Sequence, residues 1–129
     1  MERATGIGRL FFKANDPDGL QKWYENHLGL KPDPDGCVVF RWRERDEAVS
    51  KASTVWAPFP VDTKYFGNGS QTAMVNYRVE KLDAMLAQLR SAKAMVDDKI
   101  EESGYGRFAW VTDPEGNRIE LWQPPDDEA

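Results

Sequence analysis

Leu82, Met85, Leu86 and Leu89 fall at i, i+3, i+4 and i+7, a spacing that puts four apolar side chains on one face of a helix. Leu20, Trp23, Tyr24 and Leu28 recur at helical spacing earlier in the chain. Start and stop signals frame that earlier helix. Asn15-Asp16-Pro17 offers a cap and a proline for the first turn, and Gly29 suits a left-handed stop. Strands are expected at residues 7–14, 37–43 and 51–57, with a turn at Asp33-Pro34-Asp35-Gly36 and a charged connection at 44–47. The order then begins again. A strand at 72–79 precedes the second helix, and strands at 96–101, 107–112 and 118–122 follow it.

Each half therefore reads strand, helix, further strands, and a constant shift relates the halves. The strand–helix pair from Arg9 matches the one from Met74 (74 − 9 = 65), Leu20 falls on Met85, and Val55 falls on Glu120 (120 − 55 = 65). Residue identity between the halves is poor, but one offset shared by a strand, a helix and a distant strand points to a duplicated unit.

The chain has 129 residues, 40% hydrophobic and 30% charged, which suits one compact soluble domain. A formal net charge of -5 argues against a nucleic-acid partner, which needs a basic face. Cys37 is the only cysteine, so no intrachain disulfide framework exists; within CVVF it reads as a small core residue. No run approaches a membrane span and MERATG is not a signal peptide, so a cytoplasmic location and no membrane partner are expected. The acidic tail around Asp126-Asp127-Glu128 is expected to be frayed.

Three stretches carry a family likeness: LFFKANDPDGLQKWYENHLGL, MVNYRVEKLDAML and DPEGNRIELWQP. In this order they resemble the vicinal-oxygen-chelate superfamily, which includes glyoxalase I, extradiol dioxygenases and bleomycin-resistance proteins. The resemblance implies an α+β fold of two βαβββ modules, at about 6–58 and 72–124 and joined by a loop at 59–71. Their strands would form a curled mixed sheet around a cup, with the helices outside and a homodimer as the assembly. Strand alternation then sorts the side chains. Leu10, Phe12, Ala14, Val75, Tyr77, Val79, Ile119 and Leu121 would face the helices. Arg9, Phe11, Lys13, Met74, Asn76, Arg78, Arg118, Glu120 and Trp122 would face the cup.

Metal-dependent members of the family use four ligand positions, which map here to Arg9, Val55, Met74 and Glu120. Only Glu120 suits a hard or borderline divalent cation. Arginine carries a permanent charge and no acceptor, methionine is a soft thioether, and valine offers no donor atom. The only histidine, His27, lies near a helix C-terminus, where its ring can meet the last carbonyls. No metal and no other cofactor is therefore expected.

The expected ligand-binding set is Arg9, Phe11, Lys13, Met74, Asn76, Arg78, Glu120 and Trp122, a locally basic and aromatic pocket in an acidic chain. Trp42, Trp56 and Trp110 are further candidates for its walls. A bland alternative is that Arg9 merely neutralises Glu120. The functional expectation is metal-independent binding of a small anionic or aromatic molecule, of the bleomycin-resistance type. The alternative is a lyase, isomerase or dioxygenase resembling glyoxalase I, with a displaced metal site or with Glu120 as a catalytic acid–base. Tyr65 in the joining loop and Tyr105 between two glycines are left without a role.

Overall fold

The computed structural model describes residues 1–42, 52–67 and 70–126. The architecture is α+β, with two helices and seven strands among the described residues. The chain divides into two compact units, Arg9–Ala73 and Met1–Gly8 with Met74–Ala129.

In the first unit, β1 (Gly6–Ala14) leads from Arg9 onward into α1 (Pro17–Leu28), β2 (Val38–Trp42) and β3 (Ala52–Pro60). The strands lie in the order β2-β3-β1, with β1·β3 parallel and β2·β3 antiparallel. Helix α1 starts and stops where the sequence places it. Asp16 accepts from the Gly19 amide at 3.1 Å, Pro17 opens the first turn, and Gly29 closes the helix at φ 69°. The turn before β2 is closed by Asp33, whose Oδ1 accepts from the Asp35 and Cys37 amides, both at 3.0 Å. The expected strand ends at 43 and 51 and the connection at 44–47 lie outside the described residues.

Phe12, Trp56 and Tyr24 pack on the α1 side of this sheet, with centroids 5.2 Å apart for Phe12–Trp56 and 4.8 Å for Tyr24–Trp56. Trp56 is therefore a half-buried aromatic that packs against the helix, not a wall of the opposite face. On that opposite face Phe11 meets Phe59 at 4.7 Å and Tyr65 at 6.0 Å, and Phe59 meets Phe66 at 5.5 Å. The joining loop is shorter than the sequence suggests. Lys13 pairs with Phe59 and Ala14 with Pro60, so β3 takes up both residues, and the following turn buries Phe66.

The second unit has the full βαβββ order: β4 (Ala73–Arg78), α2 (Leu82–Ser91), β5 (Met95–Ser103), β6 (Gly106–Thr112) and β7 (Arg118–Gln123). The strands lie in the order β4-β7-β6-β5. Its core is the apolar stripe of α2 set on one sheet face. Leu82, Met85 and Leu86 pack with Val79, Ala109, Val111 and Leu121, and Leu89, Tyr77 and Ile119 fill the margins. Full burial of each large aliphatic side chain contributes about 1.5–3 kcal/mol. No side chain of Lys81 caps α2; instead Gln123 Oε1 accepts from the Leu82 amide at 2.7 Å. The Asp113 turn repeats the Asp33 turn, with the Glu115 and Asn117 amides donating to Asp113 Oδ1, both at 2.9 Å.

Candidate functional site

Opposite the α2 face, alternation brings two rows of side chains together across β4, β7 and β6. In the first row Asn76 pairs with Glu120, and Glu120 with Trp110. In the second, Arg78 pairs with Trp122, and Trp122 with Phe108. Directly opposite residues in neighbouring strands have Cβ atoms about 5 Å apart, so each row forms a contact chain.

Glu120 is the centre of the first row. It is fully buried, and both carboxylate oxygens accept hydrogen bonds. Asn76 Nδ2 donates to Oε1 at 2.6 Å, and Trp110 Nε1 donates to Oε2 at 3.0 Å. A buried carboxylate is costly unless such donors meet it. Asn76 is fully buried as well, and among the described residues its Oδ1 has no hydrogen-bond partner. Gly8 leaves room beside that oxygen, because a Cβ there would press on Asn76 Oδ1 and stand 2.7 Å from Trp122 Cε3.

The second row is tied by a hydrogen bond and ring contacts. Trp122 Nε1 donates to the Tyr105 carbonyl at 2.7 Å, and its ring is near-parallel to Phe108, with centroids 6.2 Å apart. The Arg78 guanidinium lies 5.8 Å from the Trp122 ring centroid, and that of Arg118 lies 5.3 Å from Trp110. Arg118 also donates to Asp97 Oδ2 at 2.6 Å, so part of its charge is committed within the sheet. Tyr105 sits exposed at the tip of the β5–β6 hairpin, and its carbonyl rather than its ring meets Trp122.

The remaining expected site residues stand in the first unit. Arg9 pairs with Val55 in the β1·β3 ladder, Phe11 is buried in the aromatic cluster, and Lys13 Nζ lies 5.8 Å from the Phe66 centroid. His27 Nδ1 lies 2.9 Å from the Trp23 carbonyl, which accords with a helix C-terminal role. Cys37 is partly buried, and burial followed by the nearby Asp33 raises its thiol pKa.

The register corrects one expectation. The 65-residue offset puts Met74 with Glu120, but in the ladders Glu120 faces Asn76, whereas Arg9 faces Val55. The first strands are thus related by 67 (76 − 9) and the last by 65 (120 − 55). A slip of two residues is one full pleat repeat, so it changes the partner and leaves the face unchanged. Met74 is still buried, and the expected orientations of Asn76, Glu120 and Trp122 agree with their contacts. Trp110 had a weaker signal. Its place opposite Glu120 depends on the antiparallel β6·β7 pairing, which no local pattern specifies.

The residues at the four ligand positions do not form a divalent-metal set. Only Glu120 brings an anionic oxygen, and N–H donors already point at both of its oxygens. Among the described residues no three His, Cys, Asp or Glu side chains are grouped to hold an ion.

Comparison with known proteins places this geometry in context. Residues 6–121 match the family model described as Glyoxalase/Bleomycin resistance protein/Dioxygenase superfamily. No curated protein matches the sequence. Among solved structures, methylmalonyl-CoA epimerase in complex with methylmalonyl-CoA and NH4+ aligns with TM-score 0.70 and 14% identity, over 98% of this chain and 99% of that one. Methylmalonyl-CoA epimerase from Mycobacterium tuberculosis aligns with TM-score 0.59 and 23% identity, over 95% of this chain and 89% of that one. A structure described as NAD-dependent benzaldehyde dehydrogenase from Legionella pneumophila aligns with TM-score 0.59 and 12% identity, over 91% and 98%. At such identities the structural likeness concerns the fold. The match over residues 6–121, on a chain whose strands, helices and inward carboxylate are those described above, makes this protein a member of the glyoxalase/bleomycin resistance protein/dioxygenase superfamily.

Proposed function

We propose that the protein binds a small anionic or aromatic molecule on the Glu120 face without a divalent metal. The observation that carries this reading is the double capping of Glu120 by Asn76 and Trp110. A carboxylate held by two N–H groups is a positioned polar floor. Each oxygen already spends one lone pair on an N–H donor, which makes the carboxylate less available to a hard cation. Arg78 over Trp122 supplies a cation and an aromatic surface in the adjoining row, the combination that suits an anionic or aromatic ligand. Calorimetric titration with Mn²⁺, Ni²⁺ and Zn²⁺ tests the metal-free part of the reading. Stoichiometric binding that disappears in Glu120→Gln overturns it.

A second reading is an isomerase, favoured by the methylmalonyl-CoA epimerases among the structural neighbours. Glu120 would then take the proton from the carbon next to a carbonyl, and a proton delivered to the opposite face of the resulting planar enolate would complete the inversion. Methylmalonyl-CoA incubated with the protein in D₂O decides between the two. Deuterium gained at C2, and not with Glu120→Gln, supports the isomerase; no exchange beyond the protein-free rate leaves the binding reading.

A further inference from the structure

We draw no further inference here: the strongest candidate, the apolar surface that α1 leaves half open at Trp23 and Leu28, carries nothing because no feature of the structure shows what covers it.

Discussion

Asn76 stands directly opposite Glu120 in the β4·β7 ladder and donates to it at 2.6 Å, with both side chains fully buried. Trp110 meets the other carboxylate oxygen at 3.0 Å, so an N–H group donates to each side of Glu120. The pairing makes Asn76 a sensitive position. Asn76→Leu leaves a buried carboxylate short of one donor and should lower stability by about 2 kcal/mol. Asn76→Asp puts a second carboxyl against Glu120 and should cost more at neutral pH than at acid pH. Urea unfolding at both pH values checks the pair of effects; an unaffected midpoint for Asn76→Leu would sink the assignment.

Asp83 and Asp113 both titrate below the ordinary aspartate range, the first because Arg107 hydrogen-bonds to it, the second because Asn117 does through side chain and backbone. The unfolded chain therefore binds more protons as the medium is acidified. Stability from these groups is full above the unfolded value of about 3.9 and is lost as pH falls through the depressed folded values. Denaturant midpoints should accordingly hold from neutral pH to about pH 5 and decline progressively below it. Asp113→Asn keeps an acceptor for the turn amides and removes the titration, so its midpoint should decline less. Identical pH profiles for the variant and the parent would show that Asp113 contributes nothing to the dependence.

Gly106 has φ 119°, and a Cβ there would collide with the Gln123 carbonyl and stand 2.9 Å from Trp122 Nε1. Gly106→Ala should destabilise by about 2 kcal/mol or more and disturb the Trp122–Tyr105 hydrogen bond. Gly104, in the same hairpin turn, has nothing within 4 Å of its would-be Cβ. Gly104→Ala should therefore change stability by less than ~0.5 kcal/mol. Thermal melts of the two variants side by side test the contrast, and equal losses would contradict it.

Phe66 retains 2% exposure and packs on Phe59. Phe66→Ala should cost about 3 kcal/mol, the loss expected for a buried aromatic side chain. A change within experimental error in the unfolding midpoint would mean that the segment after β3 is a loose connection after all.

Local chemistry in the sequence determined much of this protein. The Asp16 cap, the Gly29 stop, the Leu82–Met85–Leu86 stripe and the Asp33 turn each depend on residues a few positions apart, and each is in place. The inward direction of Asn76, Glu120 and Trp122 was legible for the same reason, since alternation has a period of two and needs no knowledge of the partner strand. Which residue faces Glu120 was decided by tertiary structure. The slip from Met74 to Asn76 preserves the face, so no pattern along one strand distinguishes the two registers. The commitment of Arg118 to Asp97 and the meeting of Trp110 with Glu120 likewise rest on which strands become neighbours. That choice belongs to the packing of the whole second unit around α2, where burial of the Leu82, Leu86 and Leu121 side chains outweighs any local preference.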